Sequence, residues 1–216
     1  MKSVKDWFRN RPYVWVAIGY FAFYLPAFWL LERLVPVPRY LIRCPLDDLI
    51  PFCEYFFLPY VSWFFLLAWS LLYFADKSRE DFLRLCYLMF TGMTFCLGCY
   101  LLFPNGLDLR PAQLGDNLFC SLTGLLYAVD TPTNVCPSIH VSSAVAVWVT
   151  ARRSALFRNR PGVRWGLFAL VAAICLSTVF LKQHSVVDVV CGVALSLLLD
   201  AAGRLRSRAR ERVQAA

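Results

Sequence analysis

Uncharged apolar runs recur along the chain at 13–31, 55–75, 85–107 and 165–181, each approaching or exceeding the roughly 20 residues that an α-helix needs to cross about 30 Å of hydrocarbon. Two further runs carry charge: 138–157 holds Arg152 and Arg153 near its end, and 184–199 holds Asp188 one turn inside. Arginines at a helix end can snorkel to the interface, whereas a carboxylate inside the run needs a partner. Together the runs predict six spans: an all-α polytopic membrane helical bundle, with residues 1–216 forming a single embedded domain. The first run is long and no small-residue cleavage site follows it, so it is expected to be a retained span.

Two connecting segments are expected to lie at the interface. Segment 35–54 contains Pro36, Pro38, Pro45 and Pro51, with Asp47 and Asp48 leading into the second span. Segment 108–137 contains an apolar stretch, 118–129, too short to cross and suited to an interfacial or re-entrant helix that roofs a site.

Composition agrees with a bilayer and excludes other classes. The chain is 59% hydrophobic and 16% aromatic, too apolar for one soluble domain without large exposed greasy surfaces. Six spans place 17 of the 22 Lys and Arg on one side, in clusters at 2–11, 77–84, 152–164 and 204–212, and leave Arg33, Arg39, Arg43, Arg110 and Lys182 on the other. By the positive-inside rule both N and C termini are expected to be cytoplasmic. The net charge of +8 is then the cytoplasmic bias of a membrane protein, and no nucleic-acid partner is expected. The 204–212 tail serves either as a topology anchor or as a contact to anionic lipid of about 1 kcal/mol per residue. Nine cysteines leave at least one unpaired within the chain; Cys44, Cys53, Cys120 and Cys136 fall on the outer side, where Cys44–Cys53 or Cys120–Cys136 pairing is allowed but not indicated.

Candidate chemistry gathers on that outer side. The chain has only two histidines, both at the edges of apolar segments, in Cys136-Pro137-Ser138-Ile139-His140 and in Lys182-Gln183-His184-Ser185-Val186-Val187-Asp188. A His four residues before an Asp on a helix shares a face with it, so the carboxylate accepts one ring N–H and leaves the other nitrogen as a nucleophile. Arg110, Ser138, His140, Lys182, His184 and Asp188 all fall at extracytoplasmic helix ends. A zinc site from Cys136, His140, His184 and Asp188 is the competing reading. It is disfavoured because Pro137 constrains the short spacing, so no metal and no cofactor is expected.

These motifs resemble the type 2 phosphatidic acid phosphatase superfamily, lipid phosphatases related to vanadium haloperoxidases. The family's Pro-Ser-x-His motif reads Pro137-Ser138-Ile139-His140 here, and Ser-Arg-x5-His-x3-Asp is met by Ser177, His184 and Asp188. Its Lys-x6-Arg-Pro motif is met only by Arg110-Pro111; Phe103 stands at the Lys position and Thr178 at the Arg position of the third motif, while Lys182 appears two residues before the histidine. The resemblance implies that His184 attacks phosphorus to form a phosphohistidine, that Asp188 orients it, and that His140 is the general acid and base. It implies that Arg110, Lys182, Ser138 and Ser177 bind the substrate phosphate. The implied activity is hydrolysis of a lipid phosphate or diphosphate monoester, with membrane lipids as partners, at the extracytoplasmic face of what is expected to be a bacterial plasma membrane. The missing cations resemble a branch that shades towards sphingomyelin and inositol phosphorylceramide synthases, which makes a lipid phosphotransferase the alternative. A non-enzymatic transporter is the third reading, without the internal repeats that class often shows.

Overall fold

A computed structural model describes residues 4–34 and 37–214; Lys2 of the basic cluster at 2–11 and the first two residues of segment 35–54 lie outside them. In chain order the helices are α1 (Val4–Arg9), α2 (Trp15–Leu34), α3 (Pro45–Leu49), α4 (Phe57–Lys77), α5 (Arg79–Leu102), α6 (Leu118–Val129), α7 (Ile139–Arg153), α8 (Pro161–Phe180) and α9 (Val186–Gln214). Two dipeptide strands, β1 (Tyr40–Leu41) and β2 (Asn105–Gly106), pair in parallel at one end of the bundle.

Among the described residues, five segments are long and apolar enough to cross a membrane: Pro12–Leu34, Glu54–Lys77, Arg79–Leu102, Pro161–Phe180 and Val186–Gln214. The distribution of side chains is that of an integral membrane protein. Phe23, Leu25 and Trp29 of α2, Phe65 and Leu72 of α4 and Trp165 of α8 face outward, while Ser142, Ser143, Thr150, Ser196 and Asp188 are buried inside. Large apolar side chains on the outside, with polar groups enclosed among an apolar core, are what hydrocarbon as solvent selects.

The expected sixth run behaves differently. Residues 138–157 yield α7, a 15-residue helix that stops at Arg153, where Ser154 caps a following short turn through a hydrogen bond from the Leu156 N–H. At 1.5 Å per residue α7 is about 22 Å long, short of the usual span. It occupies the centre of the bundle, packed on α5, α9, α8 and α4. Small residues permit that position: Ala144, Ala146 and Ala151 are fully enclosed, and a Cβ on Gly192 of α9 would stand 2.9 Å from the Ser138 carbonyl oxygen and 3.0 Å from Val141 Cβ. The α7–α9 crossing therefore brings backbone against side chain with no room for a methyl group. Polar ties complete it: Trp63 Nε1 donates to Ser143 Oγ at 2.9 Å, Ser196 Oγ donates to the Ser142 carbonyl, and Arg153 pairs with Asp200.

At the end of the bundle where α4, α7 and α9 begin and α5 and α8 finish, β1, β2, α3 and α6 form a cap. Gly106 is required there, since a Cβ would meet the Pro132 carbonyl oxygen at 2.6 Å. Asn105 stitches the 134–136 loop: its Oδ1 accepts the N–H groups of Val135 (2.9 Å) and Cys136 (2.8 Å), and its Nδ2 donates to the Cys136 carbonyl (3.0 Å). All nine cysteines are free thiols, so neither pairing left open by the sequence is made.

Candidate active site

The loop between α8 and α9 carries the first histidine. Helix α8 closes with the N–H groups of Gln183 and His184 both donating to the Thr178 carbonyl, at 2.9 and 3.0 Å, and with Lys182 in the left-handed region at φ 53°. For a residue with a Cβ that conformation costs about 1–2 kcal/mol, so its surroundings must hold it. They do. Lys182 Nζ donates to the carbonyls of Asp47 (2.7 Å) and Ile50. The Asp47 carboxylate accepts from Ser185 Oγ at 2.7 Å, the Val186 N–H at 2.8 Å and the Cys44 N–H at 2.7 Å. Burial acts to raise the Asp47 pKa, and these hydrogen bonds outweigh it, holding the carboxyl below its usual value. Helix α3 thus fixes the loop from outside, and Lys182, expected at the substrate phosphate, is directed to backbone carbonyls instead.

His184 precedes α9 rather than lying on it, a correction to the helical spacing. Asp188 sits in the first turn, and its Oδ2 accepts the Ser185 N–H at 2.8 Å while lying 3.3 Å from His184 Nδ1. The pair meets across the helix start, which leaves Nε2 of His184 as the outward nitrogen. Asp188 is fully buried, and its Oδ1 has no hydrogen-bond partner.

His140 lies in the first turn of α7, between the rings of Trp63 (centroids 4.3 Å apart) and Tyr60 (4.8 Å), and 5.7 Å from the His184 ring. Both α7 and α9 begin here, so the positive ends of two helix dipoles converge on the imidazoles. Three bonds set the start of α7: Tyr100 Oη donates to the Pro137 carbonyl at 2.6 Å, the Ser138 N–H donates to the Asp188 carbonyl at 3.2 Å, and Ser138 Oγ accepts the Val141 N–H at 3.3 Å. Ser138 is a cap, enclosed completely, rather than a wall of the site. Ser177 is also enclosed, its Oγ donating to the Ile174 carbonyl at 2.6 Å.

Arg110 reaches the neighbourhood from behind. Its guanidinium donates to the carbonyls of Tyr127 (3.2 Å) and Asp130 (2.6 Å) and to Gln183 Oε1, and it lies 4.2 Å over the Tyr127 ring. Burial lowers its pKa, against the opposing pull of Asp130, Tyr127 and Tyr60, but an arginine remains a cation. With Oε1 engaged, Gln183 turns Nε2 to a buried position that has no partner. Among the described residues no group of three His, Cys, Asp or Glu side chains is arranged to hold a metal, so Cys136, His140, His184 and Asp188 do not form the zinc set considered above.

A cavity of about 540 Å³ opens on His140, His184 and Gln183. It runs between α2 and α4 past Phe21, Leu25, Phe64 and Leu67, and its polar lining, with Glu32, Asp130 and Asn134, lies at the same cap end as the imidazoles, Asp130 being joined through Tyr60 to His140. Arg110, Lys182, Ser138 and Ser177 do not line it, whereas the two imidazoles do.

Residues 109–211 match the family described as the PAP2 superfamily. That segment of the chain is similar to the PAP2 superfamily. Members of that superfamily are phosphoesterases or phosphotransferases, which suggests chemistry on phosphate esters. No curated protein and no solved structure matches the chain. The PAP2 segment contains Arg110, Ser138, Ser177 and both histidines with Asp188, but the residues that steady them, Asp47, Tyr60, Trp63, Tyr100 and Asn105, lie before it. None of these five was singled out as part of the site from the sequence. Asp47 carried the one available signal, an acidic residue in a proline-bounded outer segment.

Proposed function

We propose that the protein is a membrane lipid phosphatase or head-group transferase working through a phosphohistidine on His184. The carrying observation is the pair of imidazoles, 5.7 Å between centroids, at the mouth of an apolar cavity. His184 Nε2 attacks phosphorus in line while Asp188 fixes the tautomer and stabilises the cation that develops. His140 gives a proton to the leaving lipid oxygen, then removes one from the incoming water or alcohol, a role that contributes about 10²–10⁴-fold. Gln183 Nε2, buried without a partner, is the donor to a non-bridging oxygen that the phosphate group would satisfy. Arg110 orients Gln183 and adds positive potential from behind it.

The bundle crosses the membrane six times in this reading, with α7 as the short, protein-enclosed span and the site at the extracytoplasmic end. Two supports favour it: α7 joins the ends of α6 and α8 through the bundle centre, and the arginine-rich connections lie at the end away from the histidines. An acyl or isoprenoid chain entering between α2 and α4 from the outer leaflet matches the cavity's aromatic and aliphatic wall. The test is a lipid-phosphate panel with wild type and His184→Ala. Turnover is expected in wild type and absent in the variant, with released phosphate indicating hydrolysis and an acceptor-dependent lipid indicating transfer. Undiminished turnover in the variant contradicts the reading.

A further inference from the structure

A site for a phosphate monoester is expected to be rich in cations, yet the described residues around this cavity include two carboxylates, Glu32 and Asp130, and no lysine or arginine. Glu32 Oε1 accepts from Thr131 Oγ1 at 2.8 Å, and Asp130 Oδ2 accepts from Tyr60 Oη at 2.8 Å. Among the described residues neither carboxylate is in an ion pair, and Arg110 meets Asp130 through its backbone carbonyl. Two buried amide atoms add a second, independent indication. Asn134 is 5% exposed, lines the same polar end, and has an Oδ1 acceptor with no partner; Gln183 is 3% exposed and has an Nε2 donor with no partner. Buried polar atoms are rarely left unpaired, and these two belong to residues that line the cavity, so a ligand atom of opposite character would satisfy each. These atoms suit a ligand with an acceptor next to Gln183 and His184 and a donor cation next to Asn134, Glu32 and Asp130.

We propose that this polar end binds the primary ammonium of a phosphoethanolamine head group, so that the substrate is a lipid phosphodiester rather than a monoester. The proposal rests on the phosphohistidine reading above and names its substrate. A primary ammonium is favoured over a quaternary one because three acceptors call for N–H donors. A phosphodiester carries one negative charge rather than two, and its ammonium offsets one of the two carboxylates that would repel a dianion. Phosphate at the imidazoles and ammonium at the polar end leave the lipid chains along α2 and α4. His184 Nε2 then forms a bond to phosphorus as the bond from phosphorus to the glycerol oxygen breaks; that oxygen takes the proton from His140 and leaves as diacylglycerol. In the second step an acceptor hydroxyl, of water or another lipid, attacks phosphorus, His140 takes its proton, and His184 is released.

The measurement is lipid binding in nanodiscs to His184→Ala, which holds substrate without turning it over, alongside Glu32→Gln and Asn134→Leu in that background. Phosphatidylethanolamine is expected to bind about tenfold or more tightly than phosphatidic acid or phosphatidylmethanol, and each second substitution to erase most of that preference. Preference for phosphatidic acid, equal binding of all three lipids, or a preference unmoved by Glu32→Gln overturns the head-group proposal. Tighter binding of phosphatidylcholine than of phosphatidylethanolamine overturns the primary-ammonium assignment. Because binding is read without turnover, these outcomes are separate from failure of His184 as nucleophile, which appears only in the activity of wild type against His184→Ala.

Discussion

In the proposed mechanism His184 is the nucleophile and His140 the proton-transfer group, and their surroundings differ accordingly. His184 is tied to a carboxylate, whereas among the described residues His140 is held by aromatic faces and no hydrogen bond to its ring. His140→Ala is expected to lower kcat by about 10²–10⁴-fold. Asp188→Asn is expected to lower it by about 10³–10⁴-fold with little change in KM, because the wrong tautomer is presented while the shape is kept. Both are read by steady-state kinetics on the same lipid. Asp47 makes a prediction in pH. Its folded pKa is held below the ordinary value of 3.8, so its ionised form is the one the fold favours. Its stabilisation is complete above that value and is lost as pH falls through the depressed one. Asp47→Asn is therefore expected to melt below wild type at pH 7, with the gap closing below about pH 4 in thermal unfolding. The proximity of His184 to Asp188 was legible from spacing, because an His-x3-Asp pair needs only local geometry. The destination of Lys182 was not. Whether its amine points to a substrate or to the carbonyls of Asp47 and Ile50 depends on α3, 132 to 135 residues away in sequence.

At the level of elements, the long apolar helices follow from hydropathy because hydrocarbon leaves no other way to satisfy the backbone. Helix α7 shows where that rule thins. Being enclosed by α5, α8, α9 and α4, it needs small and hydroxyl side chains more than apolar ones, so its sequence signal is weak and its length is set by its caps. The helix Leu118–Val129 occupies the apolar stretch too short to cross, and its last turn, with Leu126 and Val129, contributes to the cavity wall. The α7–α9 contact carries a testable consequence. Gly192→Ala places a methyl against the Ser138 carbonyl and Val141, costs about 1–3 kcal/mol by overpacking, and moves the helix that bears Asp188 one turn away. A lowered Tm together with a kcat loss larger than that of Gly203→Ala, where only the Tyr87 ring is met, is expected.

At the scale of the whole molecule, the first half of the chain braces the proposed site carried by the second. Asp47, Tyr60, Trp63 and Asn105 brace residues from 134 to 188, and α2 with α4 walls the cavity. That division explains why motif spacing points to the proposed reacting groups and says nothing of the residues that brace them. Orientation across the membrane is checked by labelling with an impermeant maleimide in intact cells: Leu49→Cys, 76% exposed beside the site, is expected to react above the wild-type background, and Arg208→Cys to react only after permeabilisation. The most direct measurement of the central claim is mass spectrometry of enzyme quenched during turnover. A phosphoryl-bearing adduct on the peptide that contains His184, lost in His184→Ala, is predicted; an adduct on another residue, or turnover that persists without His184, contradicts the account.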